Sequence, residues 1–287
     1  MKREILVAFA ILSLSVGMFA GSPRADEWSK SYAINGRADL HVSTDDGNVS
    51  ITSADQKQID ARVITDGYKI GPHDVRIEES QNGNQVTVNV RISHGGWPMI
   101  QFGGHKSLRV ELRVPRDLDI DAHTGDGNVS TQGASGRIHI DSGDGNVTAD
   151  GLKGDISFRT GDGNIQATNL DGAVRADTGD GRVVVKGRFD SLNLKSGDGN
   201  IDAEASSGST TTSGWTLQSG DGQVFLRVPG DFHADLEAHT GDGSITLDMP
   251  ISVEGSLSRS SIRGKMNGGG GFVKITTGDG SIHIAKL

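Results

Sequence analysis

An all-β fold, wound as a single-stranded parallel β-solenoid with 18-residue coils, is predicted by three features of this sequence. The phrase Ser/Thr-Gly-Asp-Gly-x-Val/Ile recurs, with its aspartates at Asp126, Asp144, Asp162, Asp180, Asp198, Asp221, Asp242 and Asp279, and the first five stand 18 residues apart. A fixed period of this size marks a repeat architecture. Apolar residues keep the same step: Val129, Val147, Ile165, Val183 and Ile201 share one column, and Ile138, Ile156, Val174 and Leu192 another. Composition agrees, because Gly supplies 42 of 287 residues, aromatics only 5%, and no long stretch carries helical periodicity. A thin aliphatic core suits a coil that closes on itself. The competing architecture, an antiparallel meander of hairpins, leaves one sheet face needing a separate cover, whereas stacked coils bury a continuous core.

Along the chain, Met1-Lys2-Arg3 is a short basic start and Ile5 to Ala20 a nearly unbroken apolar run, followed by Gly21, Ser22 and Pro23. Sixteen residues is short for a membrane span, which needs about 20, so residues 1–25 read as a secretory signal peptide. The chain has no cysteine, hence neither a lipobox cysteine nor a disulfide framework. Residues 26–120 read as an irregular N-terminal β region and cap. Within it Asp46-Gly47-Asn48-Val49 is a divergent copy of the phrase, and Val86 to Ile92 and Leu108 to Val114 alternate as half-buried strands do. Pro115 ends the second of these. Residues 121–205 form the regular array, each unit a strand (Ile138 and Ile140 inward), a tight turn (Gly143-Asp144-Gly145), a second strand (Val147 and Ala149 inward) and a turn at Asp150-Gly151. At about 4.8 Å per coil, five such coils stack to about 24 Å. Residues 206–287 are divergent C-terminal coils and a cap, with an insertion at Ser206 to Ser213 breaking the period.

Turn chemistry accounts for the phrase. Its two glycines offer φ > 0, its Asp and Ser/Thr can bond nearby backbone N–H groups, and Asn128, Asn146 and Asn164 would stack as an amide ladder. The sharper reading is calcium, because stacked carboxylates at Asp126, Asp144, Asp162, Asp180 and Asp198 would lie about 5 Å apart and repel unless a cation intervened. The calcium β-roll nonapeptide Gly-Gly-x-Gly-x-Asp-x-U-x is met only in part, since Val147 stands where that pattern wants Asp. No cofactor is therefore expected, with calcium as the alternative.

Among other candidates, His123 and His239 share a column with Asp141, Arg159 and Lys195, a variability that reads as solvent-facing. His94 and His105 bracket a loop and are too few for a zinc site. That loop, Gly95 to Gly104, concentrates Trp97, Met99, Ile100 and Phe102 in a chain poor in aromatics. It reads as a cap over an open strand edge, or as an apolar patch for a ligand. Trp215 carries the same two readings. Serine-hydrolase, zincin and phosphate-loop motifs are missing.

Charge bounds the partners. The first 25 residues carry Lys2, Arg3 and Arg24 against Glu4, a net +2, so the remainder stands at −11 against −9 for the whole chain. Such acidity argues against nucleic acid and against electrostatic attachment to anionic lipid.

The run Leu108-Arg-Val-Glu-Leu-Arg-Val-Pro-Arg-Asp-Leu-Asp-Ile-Asp-Ala-His-Thr-Gly-Asp-Gly-Asn-Val129, the units after it, and the ending Gly268-Gly-Gly-Gly-Phe-Val-Lys-Ile-Thr-Thr-Gly-Asp-Gly-Ser-Ile-His-Ile284 resemble the bacterial putative-adhesin family of unknown function. The resemblance spans about residues 30–287. It implies an exported β-solenoid in the periplasm or at the cell surface, and it supplies no catalytic or binding residues. The expected role is a non-catalytic module presenting a repetitive face to an envelope glycan, lipid or protein, without a transmembrane span once the signal is removed. A calcium-stabilised assembly module and a β-helix enzyme acting on polysaccharide are the alternatives.

Overall fold

Alternation of apolar and polar residues dictates the local structure: along most strands one side is buried and the other faces water. The computed structural model describes residues 25–93, 106–253 and 258–287. The predicted leader (residues 1–24 of it) and the loop holding His94, Trp97, Met99, Ile100, Phe102 and His105 lie outside the described residues. Within them the fold is all-β, one continuous 23-stranded sheet. Its strands are β1 (Ala25–Ala33), β2 (Ala38–Thr44), β3 (Asn48–Ala54), β4 (Gln58–Asp66), β5 (Val75–Asn82), β6 (Gln85–Ile92), β7 (Ser107–Pro115), β8 (Leu118–Thr124), β9 (Val129–Gln132), β10 (Ser135–Ser142), β11 (Val147–Asp150) and β12 (Lys153–Thr160). There follow β13 (Ile165–Thr178), β14 (Val183–Ser196), β15 (Ile201–Ala205), β16 (Trp215–Ser219), β17 (Val224–Val228), β18 (Ala234–Thr240), β19 (Ile245–Asp248), β20 (Ser252–Val253), β21 (Ser261–Met266), β22 (Phe272–Thr277) and β23 (Ile282–Lys286).

Two faces enclose a thin core. On one, strands stack in parallel in the order β6, β2, β8, β10, β12, β13, β14, β16, β22, β18. On the other the order is β7, β3, β9, β11, β13, β14, β15, β17, β23, β19. β13 and β14 serve both faces because they run on through the second turn. The predicted columns meet partner to partner: Val147 pairs with Val129 and Ile165, and Ile156 with Ile138 and Val174. All are buried. Each such side chain gains about 1.5–3 kcal/mol on burial, so stacking rather than any one contact holds the molecule.

Pairing is not parallel throughout. β1 with β4, β4 with β7, and β5 with β6 are antiparallel at one end; β18 with β21, and β20 with β21, are antiparallel at the other. These strands cover ends that parallel coils would leave with unpaired backbone. The stacking order also departs from the chain order. The last coil, β22–β23, sits between β16–β17 and β18–β19, and the β6–β7 coil lies outside β2–β3.

Candidate functional site

The repeated phrase forms one edge of the stack, where each coil turns from the first face to the second. The residue opening it is buried in every copy: Thr124, Ser142, Thr160, Thr178, Ser196, Ser219, Thr240 and Thr277. Each hydroxyl donates to the second-glycine carbonyl of the neighbouring coil. Ser142 Oγ bonds Gly127 O at 2.9 Å, Thr160 Oγ1 bonds Gly145 O at 2.8 Å, and Thr178 Oγ1 bonds Gly163 O at 2.8 Å. The same ladder carries the end coils, from Thr277 to Gly222 and from Thr240 to Gly280. Hydroxyls also accept within their own turn, as Ser142 Oγ does from Gly145 N at 3.1 Å.

The glycines act by size. None of those flanking the aspartates has a positive φ, contrary to the expectation from turn chemistry. A Cβ on Gly145 would lie 2.0 Å from Gly127 O, and one on Gly163 2.1 Å from Gly145 O. Adjacent coils approach so closely at this corner that no side chain fits. The expected amide ladder is present: Asn146 Nδ2 donates to Asn128 Oδ1 at 3.1 Å, and Asn164 Nδ2 to Asn146 Oδ1 at 3.0 Å. Asn48 extends it, accepting from Asn128 Nδ2 at 3.2 Å.

Asp126, Asp144, Asp162, Asp180 and Asp198 are exposed at the tip of the corner, and among the described residues their carboxylates enter no hydrogen bond or ion pair. The Asx turn expected of them does not form, because hydroxyl and asparagine side chains already satisfy the turn. Among the described residues no group of three or more His, Asp or Glu side chains converges to hold a metal ion. The row is a line of separate, exposed carboxylates along the edge of the stack. Trp215 lies in the core. Its ring is 1% exposed, stacks edge-on to Phe189 at 5.9 Å and against Phe232 at 4.9 Å, and its Nε1 donates to Thr210 O at 2.9 Å. His123 and His239 are exposed as predicted.

The flat faces carry the remaining side-chain rows. On the face of β3, β9, β11 and β13, Ser50, Ser130, Thr148 and Gln166 align across the strands beside the asparagine ladder. This uncharged strip gives way at β14–β17 to a closed ion-pair network, in which Arg227 bridges Asp202 and Glu204, and Lys186 pairs with Glu204 at 3.1 Å. Lys186 and then Arg227 hold the Glu204 carboxyl below its usual range, against the opposing effect of burial. On the opposite face Asp119 accepts from the Arg137 backbone N–H at 2.9 Å and from Arg37 at 2.7 Å, and its pKa is lowered, chiefly by the backbone bond. Nothing in the sequence period distinguished the neutral strip, since its residues vary in type while agreeing in polarity.

This arrangement defines a class: an all-β protein of stacked strand–corner–strand layers with regular side-chain rows on its faces. The chain belongs to the Toastrack DUF4097 family, whose model matches residues 38–285. No curated protein matches it. Among solved structures, a putative lipid binding protein from Parabacteroides distasonis is 14% identical, with a TM-score of 0.48, covering 90% of this chain and 96% of its own. A putative adhesin from Parabacteroides merdae is 11% identical, with a TM-score of 0.47, covering 90% and 95%. A putative cell adhesion protein from Clostridium sporogenes is 14% identical, with a TM-score of 0.32, covering 92% and 100%.

Proposed function

We propose that this protein is an exported, non-catalytic β-solenoid of 18-residue coils that presents a repetitive face to an envelope or extracellular partner. In this reading residues 1–25 direct export, residues 26–120 cap one end, residues 121–205 form the array, and residues 206–287 supply the divergent coils. The observation that carries it is the register of the neutral strip. Ser50, Ser130 and Thr148 follow one another at one-layer intervals, next to an unbroken asparagine ladder. Such a row offers the same hydrogen-bonding groups again and again, which suits a partner that is itself repetitive. The corner aspartates are equivalent to one another, so none is set apart as a catalytic acid or base.

The test is a pull-down of the protein against isolated peptidoglycan, outer-membrane lipid and capsular glycan, with calcium and with chelator. Retention on one fraction regardless of calcium is the expected result. Failure to bind any fraction would sink the envelope-binding role.

A further inference from the structure

We propose that the groove over Thr52 binds the carboxylate groups of an acidic polysaccharide through Arg113 and Arg116. The inference rests on the binding-module reading and names its ligand class. Two open hollows, of about 620 Å³ and about 570 Å³, meet at Thr52 on the face built from β3, β7 and β9. Their floor is made of short side chains, Ser50, Thr52 and Ala134. A chain of sugar rings can lie flat there, with hydroxyl partners recurring about every 4.8 Å along the stack.

The charges around this floor are mostly spent. Lys30 pairs with Glu79, Arg62 with Glu27 and Glu111, and Lys153 lies 4.0 Å from Asp171. Among the carboxylates, Asp60 accepts from Ser31 and Gln58, and Asp150 from Thr168 and Asn169. Three groups are left over: Arg113, Arg116 and Asp117, none of which has a side-chain hydrogen bond or ion pair with the described residues. Arg116 lines one hollow, and Arg113, the register partner of Thr52, lines the other. A guanidinium presents a planar fork that matches a carboxylate bidentately.

Lipid is the poorer fit. The exposed large apolar side chains among the described residues are Val253, Phe272 and Leu287, and none lines the groove. The net charge of −9 opposes long-range attraction of a polyanion, so recognition here is short-range.

The full chain is titrated calorimetrically with oligogalacturonate, with a neutral cello-oligosaccharide of equal length, and with phosphatidylglycerol vesicles. The uronate binds and the other two do not. The double variant R113Q/R116Q weakens binding about tenfold or more, whereas R113K/R116K, which keeps charge without the fork, falls between. D117N, which removes the unengaged carboxylate beside the groove, strengthens binding about two- to threefold. Arg159 is also unpaired but lies on the opposite face, and R159Q leaves binding unchanged. Melting curves confirm that each variant folds. No uronate binding, an equal loss in R159Q, or preference for the vesicles overturns the proposal. If R113Q/R116Q still binds envelope fractions like the wild type, this inference falls and the binding-module reading stands. If nothing is retained at all, both fall.

Discussion

One methyl group separates the two kinds of residue in the repeated corner. Gly145→Ala would drive a Cβ to within 2.0 Å of Gly127 O and 2.7 Å of Ser142 Oγ. Neither neighbour can retreat without breaking a ladder bond. Overpacking of this kind costs about 1–3 kcal/mol, and at about 2–4 °C per kcal/mol for a chain of this size the melting temperature falls measurably. Asp144→Asn, one residue earlier, alters an exposed side chain that makes no hydrogen bond or ion pair with the described residues, and changes stability by no more than about 0.5 kcal/mol. Thermal melts of the two variants check this, and equal losses would disprove the division of labour. Ser142→Ala belongs with the glycine. It leaves the buried Gly127 carbonyl without its hydroxyl donor, at about 1–3 kcal/mol, and it should melt below Asp144→Asn in the same assay. The sequence made the corner visible through its period but misassigned the roles within it. A glycine that must have φ > 0 and a glycine that must admit a neighbouring carbonyl look alike in one dimension. The aspartate is the most regular letter of the phrase, yet its side chain takes no part in the corner's bonding.

At the scale of strands, most of the two-residue alternation was legible because burial enforces it. Val86 to Ile92 and Leu108 to Val114 became β6 and β7, with Pro115 at the end of the latter. Less legible was the second turn, where β13 and β14 run on for 14 residues each although the unit with Asp150-Gly151 suggested a break there. Asn169, with φ of 55°, absorbs that bend in β13. Between strands, Asp119 shows how a side chain ties neighbouring layers. It stands on β8 and receives Arg137 from β10 and Arg37 from the turn before β2. Its folded-state pKa lies below the ordinary value of about 3.9. The unfolded chain therefore binds more protons between those two values, and stability there rises with pH. The contribution is complete above the unfolded value and is lost as pH falls through the folded one. Asp119→Asn should flatten the stability–pH profile below about pH 4 and shift the neutral-pH melt downward. A profile with the wild-type acid slope would show that the tie carries no such energy.

For the whole molecule, a repeat protein is expected to stack its units in the order they are written, with each contacting only its neighbours. Here that order fails at the C-terminal end. The ladder of hydroxyl bonds runs from Ser219 to the coil before it, then from Thr277 to Gly222, and only then from Thr240 to Gly280. The final coil is thus a middle layer, and no local period could reveal it, because period encodes what a unit looks like and not which unit lies against it. The insertion at 206–213 and the spacings after it were the only trace in the sequence. The consequence is specific. Among the described strands β19 pairs with β23, and β18 has β22 on one side and β21 on the other. Truncation after Gly271 removes the layer between β17 and β19 and leaves β18, β19 and β21 without a stack to rest on. The truncated protein should expose residues 229–271 to limited proteolysis and lose amide protection there, while β8 to β15, whose partners are all retained, stay protected. A truncated chain that keeps β18 and β19 protected would mean that they can slide down one layer onto β16 and β17. That slide would restore the sequential order, and it would show the inserted coil to be an addition to the stack rather than a support within it.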